Sequence, residues 1–569
     1  MAYIVKKKIS GNTYYYLKES KREGDKVISK TIGYFGKKRP LKKEIETKVN
    51  EIKSKDVSDK AHPIEKAINS LREFNVAPHR PPKTADSKDK SFKVVEKPEV
   101  MLSINDMAVF CKKKGFVYPN SEIYGGYSGF FDYGHLGVEL KNNIKKAFWK
   151  TFVQQREDVV GIDGTIITHP KVWKASGHVD SFTDYIYKCK CGTVAKGDDD
   201  KGLKCPKCGL DMKNQGQFNL MFTTQVGPSK ENKSYLRPET AQVIFTNYRL
   251  VQESARQKLP FGIAQTGKAF RNEISPRDFL FRSREFEQFE IEFFVHPKKL
   301  ECPLIKEVEN MKVQILTIKN QEKNEDHIEM TIKEIVDKKI ASQWHAYWLA
   351  QYYKFFLGLG IKKENLRLRE HLKDELAHYA SACFDIEYKF PFGWKEIHGN
   401  ADRGQFDLKQ HMEFSKTSLD YYDEESKEKV VPYVAAEPSQ GIDRAFLSFL
   451  FDAYDDDKGR GNVVLKLHPK LAPVEIGVFP LVNKLEKETK ELFNDIKKSF
   501  TAIYDRSGSV GRRYARADEI GIPYCITFDF DSLKDKAITI RDRDSTKQIR
   551  VKISDLKEKL NKLMEGEKF

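Results

Sequence analysis

Arginines and carboxylates crowd into FRNEISPRDFLFRSREFEQFEIEFF, residues 270–294, a pattern suited to a hairpin that holds a nucleotide triphosphate. Its two arms, around residues 269–274 and 284–294, flank a turn containing Ser275, Pro276, Arg277 and Asp278, residue types that initiate turns. The second arm alternates Phe286, Gln288, Glu290 and Glu292 on one face with Glu285, Glu287, Phe289 and Ile291 on the other. Carboxylates within an otherwise apolar run cost free energy to bury, so they point to the floor of a site. Taken alone, the segment also reads as a solvated edge hairpin.

Three other segments add to this chemistry. AAEPSQGIDRAFLSFL, residues 435–450, leads from an acidic strand end through Gly441 into a helix carrying Arg444. One turn inside the positive end of a helix dipole, an arginine is well placed to meet phosphate oxygens. YLRPETAQVIFTNY, residues 235–248, puts Glu239 at the start of another helix, where a dipole-stabilised charge is the plainer reading. GWKEIHGNADRGQFDL, residues 393–408, lies between hairpin and Arg444. RPETAQ, FRNEISPR, REFEQFE, EPSQGIDR and GRRYARADEIGIPYC, in this order, resemble the class II (IIa) aminoacyl-tRNA synthetases, and within them the dimeric glycyl-tRNA synthetases of archaea and eukaryotes. The resemblance spans roughly residues 103–562.

What the resemblance implies is a two-step reaction. A carboxylate attacks the α-phosphorus of ATP, and the aminoacyl adenylate then passes its acyl group to a ribose hydroxyl of tRNA(Gly). Neither step needs an enzyme nucleophile, so positioning and charge stabilisation should dominate. By resemblance the catalytic residues are Arg271, bridging the α-phosphate and the amino acid carboxylate, and Arg444, on the γ-phosphate and one face of adenine. A planar guanidinium can make such a double contact and an ammonium cannot. Arg282 would assist at the γ-phosphate, Phe286 would stack on adenine, and Glu273 would receive its amino group. Asn272, Phe281, Ser283, Glu396 and Ile397 complete the expected ATP site. Glu396 and Glu437 are the expected magnesium ligands, since hard cations prefer oxygen.

Glycine offers no side chain, so it must be selected through its ammonium and by exclusion at Cβ. Glu239, Glu437 and Ser439 match the family's glycine pocket, which extends along Phe286, Glu287, Gln288, Phe289 and Glu290 and along Pro438, Gln440 and Gly441. Whether Glu437 serves glycine or magnesium is open at this level.

The elements that must position these residues can be read around them. With 569 residues the chain needs several cores, and 39% apolar residues, 12% aromatic, are enough to build them. The expected class is α+β: an antiparallel-sheet catalytic domain with flanking helices over residues 99–465, an α/β anticodon-binding domain over 466–569, and a basic β-rich appendage with a helical tail over 1–77, joined by a proline-rich linker at 78–98. Residues 137–156 carry Leu140, Ile144, Phe148 and Phe152 on one helical stripe, followed by VVGIDGTIITHP as a strand ending at Pro170. By resemblance this pair forms the interface of a homodimer. A helical insertion is expected at 296–370. The alternation of strands and helices beyond residue 469 predicts a mostly parallel sheet, with Arg512, Arg513 and Arg516 on one of its helices.

Cys189-x-Cys191 and Cys205-x2-Cys208, within residues 186–212, resemble a zinc ribbon, one residue short of Cys-x2-Cys in the first half. Four thiolates would close the shell of a structural zinc ion; redox or inert thiols are the alternative. The formal charge of +17 suits a polyanionic partner. Residues 1–50 hold 14 Lys or Arg against 5 Asp or Glu, with Tyr14, Tyr15 and Tyr16 among them, as in an RNA-binding appendage or a solvated sheet. Nothing in the sequence spans a membrane or serves as a secretory signal, which predicts a cytoplasmic protein. Two other functions fit the fold, a non-catalytic RNA-binding relative and a ligase acting on a small molecule. The first should have lost its phosphate-binding residues, and the second has no use for an anticodon-type domain.

Overall fold

A computed structural model describes residues 102–197, 202–229, 231–377 and 379–569, together with the backbone of three strands near the start of the chain. Those strands, β1 (Ala2–Ile9), β2 (Asn12–Glu23) and β3 (Lys26–Gly36), pair antiparallel in the order β1-β2-β3 within a unit of residues 1–98. The side chains of Tyr14, Tyr15 and Tyr16, the helical tail and the 78–98 linker lie outside the described residues.

In the second unit, residues 99–569, the stripe of the first long helix does what its spacing requires. Helix α1 (His135–Trp149) buries Leu140, Ile144 and Phe148, and a π-helical turn over Lys150–Gln154 rotates Phe152 into the same core. Strand β4 (Val159–Ile162) is shorter than its sequence suggests and does not reach Pro170. Beyond Asp163, the carbonyls of Gly164 and Thr165 turn to the guanidinium of Arg237, while Pro170 opens a short helix instead.

The cysteine-bearing segment forms a small sheet of β5 (Thr183–Lys188), β6 (Val194–Gly197), β7 (Leu203–Lys204) and β8 (Asp211–Asn219). Helix α2 (Ala241–Ser254) follows, then the hairpin β9 (Phe261–Phe270) and β10 (Glu285–Val295), paired in register from Phe261↔Phe294 to Phe270↔Glu285. Residues 296–370, expected as a helical insertion, hold strands as well as helices. They supply β11 (Lys312–Leu316), β12 (Ile328–Thr331), helix α3 (Gln343–Gly358) and β13 (Leu366–Glu370), and the strands extend the main sheet. β14 (Ala382–Phe390), β15 (Gly393–Asp402) and β16 (Tyr433–Gly441) complete nine strands in the order β12-β11-β13-β14-β15-β16-β10-β9-β4. The β4/β9 and β11/β13 pairs are parallel and the other pairs antiparallel.

One face of this sheet is closed by α3, whose Trp344, Trp348, Tyr352, Phe355 and Phe356 pack with Phe148, Phe152, Phe289 and Phe293. Burying each such ring contributes on the order of 2–3 kcal/mol, so this layer fixes the sheet that carries the site. Helix α4 (Ile442–Ala453) packs on the same core, beside α1.

The C-terminal sheet comprises β17 (Ile476–Pro480), β18 (Ala502–Tyr504), β19 (Tyr524–Phe528), β20 (Ala537–Asp542) and β21 (Gln548–Lys552), in the order β18-β17-β19-β20-β21, with helices α5 (Glu486–Ile496), α6 (Val510–Glu519) and α7 (Leu556–Glu565). It is mixed and not mostly parallel: β17 pairs parallel with β18 and β19, whereas β19/β20 and β20/β21 are antiparallel. The connections after β19 and β20 are too short for a parallel crossover. On α6, Arg513 is buried and donates to the carbonyls of Pro480 and Gly508, and Arg516 pairs with Asp505. Those two arginines tie down the helix; Arg512 stays exposed.

The C-terminal sheet shares its apolar core with the body. Leu467, Leu471, Val474, Phe479, Ala517, Ile522 and Cys525 belong to the same buried cluster as α1 and α3. Arg543, 1% exposed, crosses this junction and donates to the carbonyls of Leu467 (2.7 Å) and Gly521 (2.9 Å).

Candidate active site

Strand alternation decides which residues meet. Cross-strand partners place Gln265, Glu290, Ser439, Gly399 and Asp385 in one row across five strands, β9, β10, β16, β15 and β14. Gln288 lies opposite Gly441 in the next row, and Glu437 opposite Ala401 in the row on the other side. Phe286, Gln288, Glu290 and Glu292 therefore share the open face with Glu437, Ser439 and Gly441.

Contiguous runs along β10 and β16 cannot all face one pocket, and several expected residues turn away. Phe289 packs against Phe148 and Trp149 in the core, and Ile397 is buried in the same cluster. Glu287 pairs with Lys141 (3.1 Å) and Lys145 (2.8 Å). Gln440 donates to the carbonyl of Ile397, and Pro438 sits opposite Asn400. Asn272 spends its backbone N–H on Leu220, and its side chain is not part of the cleft lining.

The nucleotide half is a cleft lined by Arg271, Glu273, Phe281, Arg282, Ser283, Phe286, Glu396 and Arg444, with Gln288, Ser439 and Gly441 at its inner end. Arg271 is anchored by one bond from Nε to the carbonyl of Pro238, 3.0 Å, and its guanidinium stands 5.3 Å from the Phe286 ring and 5.6 Å from that of Phe182. Arg444 lies 4.5 Å over Phe281 and pairs with Glu396 at 2.9 Å. Burial disfavours a charged Glu396, yet Arg444 and Arg271 together hold its carboxyl below the ordinary value. Arg282 and Glu273, on either side of the hairpin turn, bind each other at 2.8 Å. Behind this wall Asp443 accepts the backbone N–H of Glu287, Lys141 Nζ and the hydroxyl of Tyr133, joining α1, β10 and α4.

Beyond Ser439 the floor becomes strongly acidic. Glu239, Glu290, Glu292, Glu437 and Asp407 are all buried together around Arg403, with His178 3.2 Å from Glu239. Arg403 reaches Glu437 at 2.7 Å and grips Asp407 with two bonds of 2.8 Å. Ser439 Oγ donates to Glu290 at 2.8 Å, and Thr240 donates to the other oxygen of Glu290. Burial raises Glu292 and Glu437 well above the usual carboxylate range, Arg403 opposing it, and raises Glu290 with the help of Glu239. Glu239 is the exception: burial works against ionisation there too, but His178 and Arg403 hold it well below the usual range. Carboxylates in this excess, shut away from water, form a cradle for a small cation such as a primary ammonium.

Arg403, Asp407, His178 and Gln242 belong to this half and were not singled out by sequence, whereas Glu292 lies on the carboxylate-bearing face already read as a floor. Arg403 and Asp407 lie within the NADRGQFDL stretch at a spacing of four, where they read as an ordinary helical surface pair.

Glu396 and Glu437, the two expected magnesium ligands, stand in different surroundings. Glu396 opens to the cleft with 44% of its side chain exposed, whereas Glu437 is buried against Arg403, beyond Ser439 and Gly399. The cleft-facing oxygens of Glu396 would suit a hard cation accompanying a triphosphate, whose charge it would neutralise. The four ribbon cysteines do converge: their sulfurs lie within 4.8 Å of one another, with Cys189–Cys208 at 3.4 Å and Cys191–Cys205 at 3.6 Å. A tetrahedral zinc with bonds of about 2.3 Å has sulfur–sulfur edges of about 3.8 Å, so the donor set fits.

Residues 222–452 match the family model of the tRNA synthetase class II core domain (G, H, P, S and T), and residues 475–563 that of an anticodon binding domain. A glycine–tRNA ligase of Ruminiclostridium cellulolyticum is 45% identical over 489 residues, covering 80% of this chain and 97% of that one. Another, of Geobacillus thermodenitrificans, is 43% identical over 502 residues, covering 82% and 99%. Among solved structures, a prolyl-tRNA synthetase of Cryptosporidium parvum complexed with halofuginone and AMPPNP is similar with a TM-score of 0.51 at 14% identity, covering 81% of this chain and 77% of that one, a likeness of fold.

Proposed function

Because the chain belongs to the glycine–tRNA ligase family of class II aminoacyl-tRNA synthetases, we propose that it attaches glycine to tRNA(Gly) through a glycyl-adenylate, releasing pyrophosphate and then AMP. The observation that carries this reading is the position of Arg271. It lines the nucleotide cleft with Arg444, and its Nε is held by Pro238, the residue before Glu239 in the acidic cradle.

In this reading Arg271 spans the α-phosphate and the glycine carboxylate, holding nucleophile and phosphorus in line and meeting the charge that develops between them. Arg444 and Arg282 take the distal phosphates, and Arg282 lets go of Glu273 to do so. Phe286 and Glu273 receive adenine. Glu396, and Glu437 if it is not taken by glycine, would hold a magnesium ion that neutralises phosphate charge. Glu239, Glu290 and Glu437 receive the ammonium, and Ser439 walls off the Cβ position, which excludes alanine.

We further infer the homodimeric type of archaea and eukaryotes from the spelling of the motifs, although the two relatives above are bacterial; residues 137–170 form its interface. The four cysteines hold a structural zinc ion, and the protein works in the cytoplasm. No helix among the described residues is long and apolar enough to cross a membrane.

The test is glycine-dependent exchange of pyrophosphate into ATP, followed by charging of total tRNA with labelled glycine. Exchange with no amino acid, or with one other than glycine, would overturn the reading.

A further inference from the structure

A second group of metal-ligating atoms lies on the open face of the sheet, away from the ribbon cysteines. His371, just past β13, Cys383 and Asp385 on β14 bring Nε2, Sγ and a carboxylate oxygen within 4.8 Å of one another. The backbone fixes them: the N–H of His371 donates to the carbonyl of Cys383 at 3.0 Å, and Arg369 pairs in register with Asp385. Nε2 of His371, sealed from solvent, lies 2.8 Å from Oδ2 of Asp385. An ion bound between these groups would take the place of that direct contact, with Cys383 Sγ as its third donor.

The chemistry of the set is specific. One imidazole, one thiolate and one carboxylate suit zinc, cobalt or cadmium and disfavour magnesium or calcium. Thiolate and carboxylate together offset a dication, the thiol proton leaving to solvent on binding. Bonds of about 2.0–2.3 Å in a tetrahedron require donor separations of about 3.3–3.7 Å, within reach of small side-chain rotations. The neighbouring cation, Arg369, has its Nη2 on Glu375, with Nη1 3.9 Å from Asp385. On the other side Gly399 presents no side chain, and a Cβ there would meet only Glu396 Oε1 at 3.5 Å and Asp385 Oδ1 at 3.9 Å. The fourth position of an ion held by the three donors therefore has room on the same floor as Ser439 and Glu290.

We propose that His371, Cys383 and Asp385 form a three-donor site for a soft divalent cation at the margin of the active-site floor, separate from the ribbon. The test is zinc stoichiometry on the full chain, stripped with a chelator, dialysed against zinc and analysed for bound metal. Wild type should hold two ions, and Cys383→Ser or His371→Ala one fewer. Cys205→Ser/Cys208→Ser should also lose one, but a different one. Cobalt loading distinguishes the two, because only the ribbon ion carries four sulfur donors and the stronger near-ultraviolet charge-transfer band. Melting of each variant in chelator, compared with wild type, reports whether it is folded, and either single variant suffices. If Cys383→Ser and His371→Ala retain as much metal as wild type, the site does not exist. If wild type holds one ion and Cys383→Ser none, the new site stands and the zinc ribbon falls.

Discussion

Arg403 Nη1 lies 2.7 Å from Glu437 Oε1 while its Nε and Nη2 bind both oxygens of Asp407, each residue buried. A single guanidinium is thus the main counter-charge for a cluster of five carboxylates. Removing one member of such a buried pair leaves an uncompensated charge, at a cost of about 3–5 kcal/mol. Arg403→Met should lower stability by that much in chemical denaturation, and an unchanged midpoint would refute the role given to Arg403.

Arg271 is different in kind, because among the described residues its side chain donates one hydrogen bond, to the carbonyl of Pro238. Arg271→Ala should leave melting and circular dichroism unchanged while pyrophosphate exchange falls at least about 100-fold, the scale of losing one preorganised donor to a developing charge. Retained exchange would remove Arg271 from the chemistry.

Glu239 should act on one substrate alone. Hydrogen bonds to charged groups are worth about 1.5–3 kcal/mol, so Glu239→Gln should raise the KM for glycine by about 10- to 150-fold and leave that for ATP in place. A parallel rise in both constants would mean that Glu239 serves the fold of the cleft.

His398, behind the sheet and stacked on Tyr352 at 4.0 Å, is held neutral by burial, its pKa pushed down to about 3. Free imidazole titrates near pH 6.5, so between about pH 6.5 and 3 the unfolded chain binds a proton that the folded chain refuses. The stability contributed by neutral His398 is present above about pH 6.5 and is lost as pH falls toward 3, by up to about 1.4 kcal/mol per pH unit. His398→Asn should flatten the acid limb of the denaturation midpoint by one proton relative to wild type. Parallel limbs would show that His398 does not titrate on unfolding.

Sequence order suggests that removing residues 470–569 abolishes charging and spares much of the exchange. The shared core predicts otherwise: the deletion uncovers Leu467 and takes away Val474, Phe479, Ala517, Ile522 and Cys525, which belong to the same cluster as the catalytic body. Exchange and charging should fall together, with an earlier melt. A truncated protein that melts like the parent and keeps its exchange activity would contradict this.

The nucleotide half was legible in the sequence because its chemistry resides in distinctive local strings. Arg271, Glu273, Arg282 and Phe286 sit on one hairpin whose period of two is visible, and Arg444 follows a glycine into a helix. The acidic half was only partly legible, since His178, Glu239 and the Arg403–Asp407 pair come from segments far apart in sequence that meet only in the fold. Register also shows what the strings do not, that Glu396 meets Arg444 while Glu437 meets Arg403. The strands within residues 296–370 were hidden by their shortness, four or five residues each among helical segments, and β20 and β21 by the expectation that alternation continues.

The bonds of Arg543 to Leu467 and Gly521, with the apolar cluster around them, fix the C-terminal sheet to the catalytic body. The span between the two is then a constant of the folded chain, like the opening of a locked caliper. An RNA that engaged both places at once would have to match that span.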